Sequence, residues 1–196
     1  MMSSPVHSMM HCEPAALELR HITKTSEDMP LLEAINTEAI PECERNSLDD
    51  LLDSGADVLG IYQNSRPTGF FVLRSFRSTR YLAYFAVQKE LRGQGLGSTA
   101  LHALLSRYPD CQTVVEYEAP DKAGDANDIR QRRKQFYLRN GFRQTGWNTF
   151  YDGTEFELGC AGISYDAAEF ADFIAYLSTI ISDHIPQPYR KKMRKG

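Results

Sequence analysis

Residues 81–98 read YLAYFAV followed directly by QKELRGQGLGS, and this stretch decides the fold. Tyr81–Val87 is an apolar run of strand length, and the glycines at positions 93, 95 and 97 mark a turn before a helix. Glycine lets successive backbone N–H groups face one concavity, and the N-terminus of a helix adds partial positive charge there. The segment therefore predicts a strand, an anion-binding loop suited to a pyrophosphate, and a helix, in that order.

Two further apolar runs, Val58–Tyr62 and Phe70–Leu73, precede this strand, and turn-rich pieces at residues 64–69 and 75–80 separate the three runs. Connections this short predict an antiparallel meander. After the glycine turn, a helix with one apolar stripe leads to a further strand at Thr113–Glu118. Strand, helix and strand in this order make a right-handed crossover, so these two strands should be parallel.

The flanking segments also carry helix and strand signals. Alternation over Leu17–Thr23 predicts a first strand, after which Ser26 is expected to cap one helix and Ser47 a second. Residues 128–139 predict a later helix.

The C-terminal part adds a hairpin and a last helix. Asp152 and Gly153 form the strongest two-residue hairpin signal in the chain. Asp166 and Glu169 fit a capping pattern before a helix with an apolar inner face.

Together these elements predict one α/β domain over residues 17–186. We expect a mixed, mostly antiparallel central sheet flanked by helices, with an extra C-terminal helix. Residues 1–16 lack periodicity and are expected to be a disordered tail, and residues 187–196 are expected to be a basic tail.

The composition is that of a globular protein, with 196 residues, 42% apolar and 24% charged. No apolar stretch reaches the roughly 18 residues of a membrane span, and the start lacks a signal-peptide pattern, so a cytoplasmic protein without a membrane partner is expected. The four cysteines contain no CxxC pair, which predicts reduced thiols and no metal site.

Charge is unevenly distributed around a net value of −4. Residues 17–60 contain three basic residues against eleven acidic ones, which favours a cationic substrate. The last ten residues contain five basic residues, which are expected to be solvated rather than to bind nucleic acid.

Two other nucleotide-binding patterns compete for the glycine turn. A Walker A loop is excluded because no Lys-Ser/Thr pair follows the glycines at the required spacing. A dinucleotide-binding fold is closer, since Glu116 follows the glycines by about 20 residues. However, Ser98 stands where that fingerprint has its third glycine, and a meander replaces the repeated βαβ units.

Residues 92–97, RGQGLG, resemble the acyl-CoA loop of the GNAT acetyltransferase superfamily, Arg/Gln-x-x-Gly-x-Gly/Ala. Residues 136–142, FYLRNGF, are similar to its later helix and following strand, where three residues separate a tyrosine from a Gly-Phe pair. The resemblance covers roughly residues 17–158.

The resemblance implies acetyl-CoA as the acyl donor and a direct transfer without an acyl-enzyme. Backbone groups of Phe85, Ala86 and Val87 would pair with the pantetheine arm, and amides of the following loop would hold the pyrophosphate. The cofactor-binding residues expected in that loop are Arg92, Gly93, Gln94, Gly95, Leu96, Gly97 and Ser98. The strand ending at Val87 would diverge from its parallel neighbour, with the thioester between them.

The resemblance also implies catalytic roles. Tyr137 occupies the position of the general acid that protonates the leaving thiolate. Tyr81 and Ala83 stand where some relatives carry a glutamate, so Glu116 and Glu118, which share one face of their strand, become the candidate bases. The alternative is that both carboxylates face solvent on an edge strand.

One departure from the family pattern concerns the later helix, where many relatives carry Asn and Ala at the positions of Arg130 and Arg133. The basic residues of this region either meet the CoA phosphates, meet an anionic group of the acceptor, or are simply solvated. They are Arg130, Arg132, Arg133, Lys134, Arg139 and Arg143.

The acceptor is expected to be a primary amine on a small molecule or a peptide. Glu42 and Glu44, in the loop between the early helices, are candidate substrate-binding residues for a cationic amine. A non-catalytic acyl-CoA-binding sensor or interaction module is the main alternative, and a nucleic-acid-directed acyltransferase that uses the basic tail is another. Members of the superfamily often form homodimers, but nothing in the sequence specifies an interface.

Overall fold

The protein, represented by a computed structural model, is described at residues 17–120, 128–151, 153–181 and 192–196. The strands are β1 (Leu17–Ile22), β2 (Asp57–Gln63), β3 (Arg66–Phe76), β4 (Thr79–Val87), β5 (Gln112–Glu118), β6 (Arg143–Tyr151), β7 (Thr154–Gly162) and β8 (Lys192–Lys195). The α-helices are α1 (Met29–Ala39), α2 (Leu48–Asp53), α3 (Leu96–Arg107), α4 (Ile129–Arg139) and α5 (Ala167–Ile181). The expected tail at 1–16, residues 187–191 of the expected basic tail, and Asp152 lie outside the described residues.

The strands form one sheet in the order β1-β2-β3-β4-β5-β7-β6-β8. Every neighbouring pair is antiparallel except β4 and β5, which are parallel and joined by α3. The predicted meander and crossover are therefore confirmed, as is the mixed, mostly antiparallel sheet with an additional C-terminal helix.

The meander turns are shorter than expected. Only Asn64 and Ser65 join β2 to β3, both with positive φ (50° and 62°), so the prediction of a turn over 64–69 is wrong in extent. Arg77 and Ser78 likewise suffice between β3 and β4. Positive φ at both central residues matches the twist of the two flanking strands, which is why a two-residue turn closes this hairpin.

Pro67 lies inside β3, although proline has no N–H group to give to a ladder. The register between β2 and β3 shifts between Ile61 and Tyr62, which leaves Thr68 as an extra residue. The Thr68 hydroxyl donates to the Ile61 carbonyl at 3.0 Å. This bulge accommodates the proline, so the strand continues through a sequence that resembles a turn.

The two early helices begin differently from each other. Ser47 caps α2 as predicted, because its Oγ accepts from the Asp50 N–H at 3.0 Å. The prediction that Ser26 caps α1 is wrong: the N-cap is Asp28, and the Ser26 Oγ accepts instead from the Thr23 N–H at 2.9 Å. Ser26 thus closes a turn upstream of the helix, which begins with proline in its first turn.

Helices cover both faces of the sheet. The α3–α4 face carries the larger apolar core, in which Leu82 and Val87 of β4 pack with Leu101 of α3. The α1–α2 face is formed by residues such as Ala86 of β4, and α5 extends the cover on the same side, next to Tyr81. Neighbouring positions of β4 therefore serve different faces, as the alternation of a strand requires.

Helix α5 is attached to the sheet by a buried polar network. Asp166 caps the helix, but Glu169 does not complete the predicted capping box. Its carboxylate accepts instead from the Thr79 hydroxyl at 2.6 Å and the Ser78 hydroxyl at 2.9 Å, and Gln112 accepts from the Asp166 N–H at 2.9 Å. Residues of the sheet therefore make the hydrogen bonds that the Asp166 N–H and the Glu169 carboxylate would make with each other in a capping box.

The ionisation of the Glu169 carboxyl group affects the free energy of unfolding of the protein. Burial alone would raise the pKa of its carboxyl group, but hydrogen bonds from Thr79, Ser78 and Gln112 outweigh burial and lower the pKa. A lowered pKa in the folded state stabilises the protein above the unfolded value of about 4.3, and this contribution is lost as the pH falls through the folded pKa.

The other end of the sheet is closed by a strand that the sequence did not indicate. Lys192–Lys195, within the expected basic tail, pair with β6 from Phe150 to Trp147. None of the helices in the described part combines the length and apolar character needed to cross a membrane. Cys43, Cys111 and Cys160 are free thiols.

We predict that Glu169→Ala lowers the free energy of unfolding by about 2 kcal/mol, because Thr79 is fully buried and its hydroxyl loses its acceptor. Asp172→Ala on the same helix is the control, since it removes only an exposed ion pair with Arg77 and should cost about 0.5 kcal/mol or less. Urea denaturation at pH 7 measures both. Equal losses would contradict the anchoring role of Glu169.

Candidate active site

The parallel strands β4 and β5 separate partway along their length. They are paired from Thr79 with Gln112 to Leu82 with Val115, although both strands continue beyond this point. The register between β3 and β4 also shifts here, which makes Ala83 a bulge. Beyond the bulge, the backbone of β4 has no ladder partner on its β5 side, and a gap opens between the two strands.

A cavity of about 520 Å³ lies beside this part of β4. It is lined by Phe85, Val87, Arg92, Gly93, Gly95, Gly97, Ser98, Phe136 and Arg139. The volume falls in the usual range for small-molecule sites. The cavity therefore joins the end of β4, the glycine loop, the start of α3 and the end of α4.

Glycine is required at two positions of this loop for different reasons. Gly95 is the N-cap of α3 and has a φ of 86°, a conformation that side chains oppose. A Cβ on Gly97 would lie 3.3 Å from the Phe136 ring, so glycine allows α4 to pack closely over the start of α3. Because the N-cap residue is a glycine, it provides no side-chain cap for the first N–H groups of α3, and N–H groups at such a position suit an anion.

Three of the residues expected to bind the cofactor do not line this cavity with their side chains. Ala86 packs on the α1–α2 face, and Leu96 is buried in the core of the opposite face. The Gln94 side chain donates to the Glu90 carbonyl at 2.7 Å. Any contact of these three residues with a ligand in the cavity would have to come from their backbone groups.

Arg92 lines the cavity, but its guanidinium group already has partners. Nη2 is 2.7 Å from a carboxylate oxygen of Glu38 in α1, and Nε donates to the Val87 carbonyl at 2.8 Å. Arg92 thus connects the first helix to the end of β4.

Tyr137 of α4 is buried on the α3–α4 face, with 7% of its surface exposed. Its ring meets Phe136 and Phe142 edge to face. Burial raises its pKa to about 12, although Arg133 opposes the shift. The phenol is therefore protonated at neutral pH and remains a potential proton donor.

Tyr117 of β5 stacks against the ring of Tyr137. The two rings are nearly parallel, 15° apart, with centroids separated by 6.0 Å. Gly159 of β7 makes room for this arrangement, because a Cβ there would lie 3.1 Å from the Tyr117 ring. The Tyr117 hydroxyl is buried and finds no hydrogen-bond partner among the described residues, and burial, followed by the charge of Glu157, raises its pKa.

The two candidate bases share one face of β5, opposite to Tyr117, as predicted. Glu116 accepts hydrogen bonds at both oxygens, from the Tyr81 hydroxyl and the Thr149 hydroxyl, each at 2.6 Å. Glu118 lies further along the strand, where one of its oxygens is 3.3 Å from Arg130. The side chain of Glu118 is 40% exposed, so Glu116 is the more firmly held of the two.

The structure does not bring the two acceptor candidates into the cavity. Glu42 and Glu44 are exposed in the loop between α1 and α2. Tyr84 of β4 connects this loop to the sheet, since its hydroxyl donates to the Glu44 carbonyl at 2.8 Å and accepts from Asn46 at 3.0 Å. The loop is thus attached to the strand that borders the gap, on the α1–α2 face.

Several residues of the site were not singled out from the sequence. Phe136 lines the cavity, and its only signal was its place in the tyrosine motif. Arg139 also lines it, and it was one of six basic residues for which contact with the CoA phosphates was left open. Tyr81 and Thr149 hold Glu116, but Tyr81 comes from β4, next to β5, and Thr149 comes from β6, on the far side of β7, so only the folded sheet brings them to the carboxylate. In the described ranges, no group of three or more His, Cys, Asp or Glu side chains is arranged to hold a metal ion.

Comparison with known proteins identifies a protein family that matches the central part of the chain. Residues 54–144 match the family model of the acetyltransferase (GNAT) domain. No curated protein matches the sequence significantly. The match over this central segment confirms the resemblance to the GNAT superfamily seen in the glycine loop and the tyrosine motif.

Solved structures share the fold at low sequence identity. A GNAT-family protein from Bacteroides thetaiotaomicron superimposes with a TM-score of 0.64 at 21% identity, covering 84% of this chain and 96% of its own. A GNAT acetyltransferase from Elizabethkingia anophelis with acetyl-CoA bound gives 0.53 at 17% identity, covering 75% and 98%. The ribosomal-protein-S18-alanine N-acetyltransferase from Escherichia coli gives 0.56 at 16% identity, covering 78% and 98%.

We predict that Tyr117→Phe leaves the free energy of unfolding unchanged or raises it by up to about 1 kcal/mol, because it removes a buried hydroxyl without a partner in the described structure. Tyr62→Phe is the matched control: Tyr62 is equally buried, but its hydroxyl donates to Asp28 at 2.8 Å, and its loss should cost about 1 kcal/mol. Thermal and urea unfolding measure both variants. A clear loss of stability in Tyr117→Phe would mean that its hydroxyl is satisfied in solution.

Proposed function

We propose that this protein is an N-acetyltransferase that moves the acetyl group of acetyl-CoA onto a primary amine by direct attack. One observation carries the proposal: β4 and β5 separate beyond Leu82 and Val115, next to a cavity bordered by the glycine loop. The separation leaves a gap that reaches from one face of the sheet towards the other. A thioester in this gap would be accessible to an amine from the face opposite the donor.

The donor would lie along β4 and the glycine loop. Backbone groups of Phe85–Val87 would bind the pantetheine arm as an added strand. The amides from Gly93 to Ser98, at the uncapped start of α3, would hold the pyrophosphate. In support, Gly95 and Gly97 keep this end of the cavity free of side chains.

Tyr137 would act as the general acid. Collapse of the tetrahedral intermediate releases a thiolate, which needs a proton. Because burial raises its pKa to about 12, the phenol is protonated at neutral pH and can donate a hydrogen bond to the thiolate as it leaves. The supporting ring of Tyr117 would restrict the orientation of this phenol.

Glu116 would be the base, with Glu118 as the second candidate. The amine must lose a proton as it attacks, and Glu116 lies on the face opposite to Tyr137, directly after the last β4–β5 pair. The Tyr81 and Thr149 hydroxyl groups hold its carboxylate in one position. Acid and base would thus act from opposite sides of the gap, as direct transfer requires.

The acceptor would be a cationic amine that approaches from the α1–α2 face. Residues 17–60 carry eleven acidic side chains, and Glu42 and Glu44 stand exposed in the loop that Tyr84 attaches to β4. A small polyamine, a lysine side chain and a peptide N-terminus all have this chemistry. The similar Escherichia coli protein is a ribosomal-protein-S18-alanine N-acetyltransferase, which supports testing peptides first.

We predict that Tyr137→Phe lowers kcat by about 10- to 1,000-fold, while the Kd for acetyl-CoA changes little, because the hydroxyl is used only in the chemical step. The measurement is amine-dependent release of CoA thiol, together with calorimetric binding of acetyl-CoA. Unchanged turnover would remove Tyr137 from the mechanism.

We further predict that Glu116→Gln lowers kcat by about 100- to 10,000-fold and removes the acidic limb of the pH profile of kcat/KM. Glu118→Gln is the matched control, since it makes the same change two residues along the same strand face and should keep that limb. If Glu118→Gln alone abolishes the limb, the two glutamates exchange roles. If neither variant alters it, the base lies elsewhere.

A non-catalytic acyl-CoA-binding module is a second candidate, because both oxygens of Glu116 already accept hydrogen bonds and Glu118 is paired with Arg130. Such a protein would bind acetyl-CoA but release no thiol with any amine. Thiol release in a panel of peptides, polyamines and lysine derivatives separates the two functions.

A further inference from the structure

Two arginines line the cavity. Arg92 comes from the glycine loop, and Arg139 comes from the last turn of α4. The sequence motif points to Arg92 as the residue that meets the phosphates of the donor. The contacts of the two guanidinium groups favour a different assignment.

The charge of Arg92 is already compensated. Its Nη2 is 2.7 Å from Glu38, and its Nε donates to the Val87 carbonyl at 2.8 Å. A phosphate that approached Arg92 would also meet the negative charge of Glu38. Binding there would require the ion pair between the loop and α1 to be broken or shared.

The charge of Arg139 has no such compensation. Its guanidinium carbon lies 5.2 Å from the centre of the Phe136 ring, and no carboxylate contacts it within the described parts of the chain. Phe136 is itself held, because it packs against Gly97 and against the Phe85 ring. Arg139 therefore presents a positive charge at the cavity on a rigid aromatic support.

We propose that Arg139 binds a phosphate group of the acyl donor, and that Arg92 instead anchors α1 to the end of β4. This inference rests on the proposed function, since it assumes a CoA thioester in the cavity. A guanidinium group can donate two parallel hydrogen bonds to a phosphate, and the stacked position restricts its motion before binding. Arg139 would thus add a charged donor to the backbone amides at the start of α3.

Calorimetric titration of the whole protein with acetyl-CoA tests the assignment. Arg139→Gln should weaken binding by about 10- to 100-fold, as expected for loss of charge-assisted hydrogen bonds. Arg132→Gln is the matched control, because Arg132 is an exposed arginine of the same helix that does not line the cavity. That control should change the Kd by about threefold or less, in line with a distant surface charge.

Two further ligands identify the phosphate. Acetyl-pantetheine, which has no nucleotide, should bind the unaltered protein and Arg139→Gln equally. If the penalty of Arg139→Gln disappears with acetyl-3′-dephospho-CoA, the 3′-phosphate is the partner; if it persists, the pyrophosphate is the partner. Either result supports the proposal, and an equal penalty with acetyl-pantetheine would overturn it.

Arg92→Gln completes the comparison and should weaken acetyl-CoA binding less than Arg139→Gln does. A thermal unfolding curve of each variant tests whether that variant is folded. If Arg139→Gln binds acetyl-CoA as tightly as Arg132→Gln, or if Arg92→Gln has the larger effect, the assignment is wrong. Absence of acetyl-CoA binding to the unaltered protein would overturn the proposed function itself, and this inference with it.

Discussion

The hydrogen bonding between β4 and β5 ends after four residue pairs, and the rest of the site depends on that limit. Strands in the middle of a sheet normally satisfy both edges of their backbone, so an interrupted ladder leaves donors and acceptors that need other partners. The bulge at Ala83 stands at the point of separation and turns β4 away from its neighbour. The buried network that holds α5 to the start of both strands keeps them paired below this point.

The gap between β4 and β5 also lies between the two proposed catalytic groups, which are on opposite faces of the sheet. Tyr137 and Tyr117 lie in the apolar core of the α3–α4 face, where burial raises the pKa of both phenols. Glu116 lies on the other face, where the hydroxyl groups of Tyr81 and Thr149 donate to its carboxylate. The proposed proton donor and the proposed proton acceptor thus lie on opposite faces of the sheet and would act together only through the gap.

Much of this arrangement could be predicted from the sequence, because its signals are local. The glycine turn and the apolar runs around it depend on neighbouring residues, and so does the cap at Ser47. Other features depend on distant partners.

The spacing of Glu169 fits a capping box, but in the folded protein its carboxylate accepts hydrogen bonds from Thr79 and Gln112 of the sheet instead. Pro67 resembles a turn residue until the bulge opposite Ile61 is known. The engagement of Arg92 by Glu38, 54 positions away, cannot be anticipated from the motif that contains the arginine.

The central claim is that the unpaired edge of β4 and the glycine loop together bind an acyl-CoA. Amide hydrogen exchange of the whole protein, with and without saturating acetyl-CoA and with NAD as the comparison ligand, tests it most directly. We predict slower exchange at residues 83–87 and 93–98 with acetyl-CoA, and no change with NAD. Unchanged exchange in both segments at saturating acetyl-CoA, or equal protection by NAD, would contradict the claim.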